Sequence, residues 1–218
     1  MKPFRRARGA YVARLSDDER SVLAGVASDV ADLLADDEDD DAATDAPDTQ
    51  ADPGGDRLDA LARELAAPVR RPQDPAVHRL LPDASREDPE LADEFRRLTQ
   101  ADLRDTKAAG LRLLARTLVA RDGAKPSHVV VAPADARPVA AAMTDVRLVL
   151  AERLGIRTDE DAEAIYTTDP VTAQRAQLVA VYGALSWLQE SLVTLMLDDA
   201  RNGVDVTPRG GAGPQASG

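Results

Sequence analysis

Apolar residues recur at helical spacing along most of the chain. Val22, Leu23, Val26, Val30, Leu33 and Leu34 repeat with a period near 3.6 residues until an acidic run interrupts them. "SDDE" precedes this stretch, and Ser16 and Glu19 have the spacing of a capping box, in which each side chain bonds the other residue's backbone N–H. Leu58, Leu61 and Leu65 predict a short helix stopped by Pro68, and Asp74-Pro75 opens a turn of helix carrying Val77, Leu80 and Leu81. Asp88-Pro89 predicts the start of a long helix, because aspartate caps well and proline suits the first helical position. That helix is expected to reach about Arg121, weakened only by Gly110 and ended by Gly123 and Pro126. Asp135 and Pro138 introduce a helix with Val139, Met143, Val146, Leu150 and Leu154 on one face, closed by Gly155. "TDED" at Thr158 caps a short helix holding Ile165 and Tyr166. The last helix begins at Asp169-Pro170 and runs to about Asp199, with Leu178, Val181, Leu185, Leu188, Leu192 and Met196 in its stripe.

Two segments break the helical pattern. "MKPFRRARGAYVARL" carries strand-forming Phe4, Tyr11 and Val12 around the turn pair Arg8-Gly9, and "HVVVA" (128–132) has three consecutive β-branched residues. The expected fold is mainly α: one domain of long antiparallel helices, with a two- or three-stranded sheet from the N-terminus and residues 128–132. Residues 1–35 and 57–199 form that domain. An acidic insert at 36–56 is expected to be disordered, and 200–218 to be a flexible tail.

Charge adds a second layer. The net charge is −12, but residues 36–56 hold ten acids and no base, so the rest of the chain carries about −2. The N-terminal segment has five bases and no acid, without stacking aromatics or a DNA-binding motif, so an arginine-faced edge strand is favoured over direct nucleic-acid binding. Cysteine is absent, which removes disulfides, thiol nucleophiles and cysteine-based metal sites. His78 and His128 lack metal-ligand spacing, and no cofactor motif is present. With no secretory h-region and no apolar run of roughly 20 residues, a cytoplasmic location is expected.

Asp102 is the most unusual position. On a helical wheel of about 100° per residue it shares a sector with Leu91, Phe95, Leu98 and Leu113, flanked by Thr99 and Thr106. An ionised carboxylate on a buried face demands a partner. Arg147, bordering the face of Met143, Val146, Leu150 and Leu154, is the expected one, with Asp145 pointing away. An Asp102–Arg147 pair would fix the register of two helices. Arg96, Arg97 and Arg104 then form a basic outer surface for a protein partner. In the last helix Gln189 sits among leucines and Trp187 points almost opposite, so Trp187 and Tyr182 suggest cover by the sheet or by a second copy. The rival readings are an enzyme built on Thr99, Asp102 and Thr106 with His78, and a direct DNA-binding regulator.

"HRLLPDASREDPELADEFRRLTQADLRDTK", "VRLVLAERLGI" and "VYGALSWLQESLV" resemble the actinobacterial oxidative-stress regulator (AosR-like) family, long catalogued as a domain of unknown function. The likeness spans most of the chain outside the acidic insert and tail. It implies a cytoplasmic, non-enzymatic regulator of oxidative-stress transcription that contacts machinery such as an alternative sigma factor. In that picture a pair of thiols is the sensor. This chain has none, and Met1, Met143 and Met196 are its only sulfurs.

Overall fold

A computed structural model of the chain describes residues 1–44, 70–85, 87–121, 127–167 and 172–203. The helix expected at Leu58–Leu65, the start expected at Asp169-Pro170, the later part of the acidic insert and most of the tail lie outside the described residues.

The N-terminal segment forms a hairpin of β1 (Lys2–Ala7) and β2 (Ala10–Arg14). Arg8 and Gly9 turn the chain with φ of 53° and 76°. Both values are left-handed, which matches the right-handed twist of the flanking strands. β3 (His128–Val131) pairs antiparallel with β2, setting Tyr11 opposite Val131 and Ala13 opposite Val129, and the sheet order is β1-β2-β3. The expected small sheet is therefore three-stranded, with β2 central.

Six helices complete the described fold: α1 (Asp17–Thr44), α2 (Pro75–Leu80), α3 (Pro89–Val119), α4 (Pro133–Leu154), α5 (Asp159–Thr167) and α6 (Ala173–Arg201). Their starts follow the cap chemistry in the sequence. Ser16 N–H donates to Glu19 Oε2 at 2.7 Å while Glu19 N–H donates to Ser16 Oγ at 3.2 Å. Asp88 accepts from Leu91 N–H, Asp74 from Ala76 N–H, and Asp161 and Thr158 cap each other's backbone. Gly155 closes α4 in the left-handed conformation, with φ of 76°.

Two boundaries differ from the sequence reading. α1 continues to Thr44, into the acidic run, because nothing there breaks a helix and Asp37 is held by Arg104 at 2.9 Å. α4 begins at Pro133, with Pro138 inside it, since Pro133 already supplies the favoured first position. α6 begins at Ala173, where Thr172 accepts from Arg175 N–H.

α3 lies between α1 and α4, and α6 packs on α4 and on β1. Their shared core includes Leu34, Leu111, Leu114, Leu118, Met143, Leu185, Leu188 and Leu192, and Tyr11, Ala13, Val129 and Val131 join it from the sheet. Each such leucine contributes about 1.5–3 kcal/mol on burial. A smaller cluster of Ala151, Leu154, Ile156 and Ile165 seats α5. Among the described helices, α6 has the length and composition of a membrane span, although polar Gln177, Gln189 and Glu190 break up its apolar run. Here Val181, Leu185, Leu188 and Leu192 are buried in the core.

Candidate functional site

The rotation of α3 decides which residues can meet a ligand or partner. Leu111, Leu114 and Leu118 in its second half face the core. A helix carries that phase back along its length, so Ala108, Arg104, Gln100 and Ala92 also turn inward and are buried. Leu91, Phe95 and Leu98 then fall on the opposite side, 55%, 51% and 60% exposed. Asp102 shares their sector, as the wheel indicated, but that sector faces solvent.

The expected Asp102–Arg147 pair is accordingly not formed. Asp102 is exposed on the far side of α3, and Arg147 points to α6. There Arg147 donates to Gln189 Oε1 at 2.7 Å and lies over the Tyr182 ring, 5.2 Å from its centroid. Gln189 uses its amide nitrogen on the Ala140 carbonyl at 2.9 Å and on Thr144 Oγ1 at 2.5 Å. The ion pair that does join α3 and α4 is Lys107 to Asp145, at 2.6 Å. Asp145 is buried rather than pointing away. Burial pushes its carboxyl up, against the hydrogen bond and charge of Lys107.

The three arginines expected to form a free basic surface are engaged within the fold. Arg104 is buried, donating to the Leu34 carbonyl at 2.5 Å and to Asp37, so it ties α3 to α1. Arg96 reaches Asp83 at 2.6 Å and Asp93 at 2.7 Å. Arg97 is exposed but pairs with Glu94 at 2.7 Å. The order "DEFRR" places an acid three residues before each of Arg96 and Arg97, the spacing at which helical side chains meet. In the polar band of the enzyme reading Asp102 and Thr106 are exposed, while Thr99 donates its hydroxyl to the Phe95 carbonyl and borders a shallow groove.

Two buried charges had only weak signals in the sequence. Arg20 donates to the carbonyls of Leu118 and Ala120, satisfying the C-terminal end of α3. Asp199 accepts from Tyr11 Oη at 2.5 Å and pairs with Arg6, joining α6 to the hairpin. Arg20 lies on the same helical side as Leu23 and Ala27, which is the signal that could have placed it inward.

His78 lies in a cleft of about 960 Å³ between α2 with its flanks and the C-terminal half of α4. Arg71, Arg79, Asp83, Glu152 and Arg157 line it too. His78 Nε2 is 3.2 Å from Asp83 Oδ2, and Arg71 is 3.1 Å from the same oxygen. Burial works to raise the Asp83 carboxyl, but hydrogen bonds from Arg96 and His78 and the charges of Arg71 and Arg96 hold it below the usual range. Among the described residues no group of acids and histidines is arranged to hold a metal ion.

Tyr182 is half-buried against both apolar clusters. Trp187 is 40% exposed, so the cover expected over it does not come from the sheet. On α3, Phe95 and Leu103 border a shallow groove of about 30 Å³, also lined by Leu81 and Ala92.

No curated protein and no solved structure matches the chain. Residues 1–196 match the family described as a domain of unknown function, DUF2017. That match takes in the sheet, the long helices and the cleft, and the chain belongs to the DUF2017 family.

Proposed function

We propose that this chain is a non-enzymatic regulatory module that works by binding a protein partner, with the outer face of α3 as its docking surface. The observation that carries the reading is the outward stripe of Leu91, Phe95 and Leu98, widened by the exposed Leu103. Large apolar side chains at i, i+4 and i+7 on an exposed helix face suit an amphipathic helix of another protein, which would lay its own apolar side along them. The paired Arg97 and Glu94 and the exposed Asp102 supply a charged rim.

The resemblance to the AosR-like regulators makes transcription machinery, such as a sigma factor in the cytoplasm, the preferred partner class. A thiol switch is excluded by composition. Met143 is buried in the core, and with no thiol to oxidise the proposed stress link runs through partner binding.

The test is affinity capture from native cytoplasm with wild type and a Phe95→Glu/Leu98→Glu variant, read by mass spectrometry. A specific partner should be recovered by the wild type and lost from the variant. Equal recovery by both would remove this face from consideration.

A further inference from the structure

We infer that the cleft between α2 and α4 is a binding site for a small molecule bearing two phosphate groups. The side chains that line the cleft are unbalanced in charge. Two carboxylates line the cleft, Asp83 and Glu152, and each is only 16% exposed. Each is already satisfied from behind or beside: Asp83 by Arg96 at 2.6 Å, and Glu152 by Arg79 Nε at 2.7 Å. Arg71 and Arg157 bring the lining guanidiniums, with Arg79, to three against two carboxylates, an excess of one positive charge, while Arg96 behind Asp83 is shared with Asp93 at 2.7 Å. Arg71 and Arg157 are also the open ones, with side chains 60% and 73% exposed, and Arg157 stays 3.7 Å from Glu152. His78 adds a further nitrogen at the Asp83 side.

Outside the acidic run at 36–56 the chain is nearly balanced, at about −2, so the cationic excess of the cleft is a local feature and not a reflection of the overall charge. It is also split between two supports, since Arg71 precedes α2 while Arg157 follows α4. Two guanidinium forks on separate elements fit two anionic groups better than one, and planar forks match phosphate oxygens in pairs. The volume of about 960 Å³ is at the upper end for small-ligand sites. Pro72, Pro75 and Pro82 border the cleft with fixed φ, so part of its wall needs no ordering on binding.

The experiment is isothermal titration of the full chain with inorganic pyrophosphate, and with inorganic phosphate and sulfate at matched ionic strength. Pyrophosphate should bind at one site at least about tenfold more tightly than either single anion, a difference of about 1.4 kcal/mol. Arg71→Gln/Arg157→Gln should weaken pyrophosphate by about tenfold or more, while Arg5→Gln/Arg14→Gln on the hairpin leaves it unchanged. Circular dichroism verifies that each variant is folded, and His78→Gln, expected to weaken binding by a smaller factor, serves if the double variant is not. Absence of saturable binding, equal affinity for sulfate, or indifference to the cleft substitutions would overturn the site. Because the docking stripe on α3 shares none of these side chains, failure here leaves that reading intact, and the reverse holds.

Discussion

Lys107 Nζ lies 2.6 Å from Asp145 Oδ1, and this contact ties α3 to α4. It occupies the place in the fold that the sequence suggested for Asp102 and Arg147, with the two charges exchanged between helices. Lys107→Met should cost about 2–3 kcal/mol, because it leaves the Asp145 carboxylate buried and unpaired. Urea unfolding at neutral pH measures this, and a loss under about 0.5 kcal/mol would show the pair to be immaterial. Asp145→Asn in the Lys107→Met background should recover part of the loss. Asp102→Arg combined with Arg147→Asp should recover nothing.

The same pair gives a pH dependence. The folded Asp145 carboxyl titrates above its ordinary 3.8, so the folded state binds the proton more readily than the unfolded chain does. Its contribution is most favourable below 3.8 and declines as pH rises through the raised value. Removing Lys107 removes an opposing influence and raises the carboxyl further. The stability gap between Lys107→Met and wild type should accordingly shrink as pH falls from 7 toward 4, and a gap that widens would contradict the assignment.

Asp83 behaves in the opposite sense. Its carboxyl titrates below 3.8 in the fold, so its stabilisation is complete above that value and is lost as pH falls through the depressed one. Asp83→Asn should destabilise by about 1 kcal/mol at pH 7, a modest figure because Arg71 is largely in solvent. Thermal melts at descending pH should show the two proteins converging below about pH 3.

Leu98→Ser should change stability by no more than about 0.5 kcal/mol, whereas Leu114→Ala should cost about 2–5 kcal/mol. Denaturant midpoints of the two variants read out the rotation of α3 directly. Comparable losses at both positions would mean that the outer stripe is covered within the chain.

Gln189→Leu should cost about 1–3 kcal/mol, since it strips a partner from Arg147 and removes the amide donor shared by Thr144 Oγ1 and the Ala140 carbonyl, which keeps only the longer bond from Thr144 Oγ1 among its side-chain donors. Arg147 Nε is already buried without a hydrogen bond, so the guanidinium would be left with its 3.5 Å contact to Tyr182 Oη and the Tyr182 ring. Equilibrium unfolding of Gln189→Leu beside Gln189→Glu, which can still accept from Arg147, separates that loss from the loss of volume.

What the sequence disclosed and what it concealed follow from the range of the forces involved. Caps at Ser16, Asp74, Asp88 and Thr158 are contacts within a few residues, and their residue types announce them. Arg8-Gly9 and the β-branched run at 129–131 are equally local. The phase of α3 is set by tertiary packing, and its first half is misleading because the outward side there is more apolar than the inward one. Leu111, Leu114 and Leu118 carried the better signal, and extending their face backward would have put Arg104 and Lys107 inside. Asp145 and Asp199 were hidden for a related reason: each sits inward only because a cation from a distant segment, Lys107 or Arg6, meets it there. The cleft around His78 depends on α2 meeting α4, which no local spacing encodes.

The hairpin is fastened to the far end of the polypeptide. Phe4 N–H donates to Ser191 Oγ across 187 positions, and Tyr11 reaches Asp199 across 188. During synthesis, then, β1 and the inner side of β2 emerge well before α6, the last described helix, and wait for it before Phe4 and Tyr11 can be covered. A nascent chain halted before α6 would carry Phe4 and Tyr11 uncovered on a ribosome-bound intermediate, a natural substrate for chaperones.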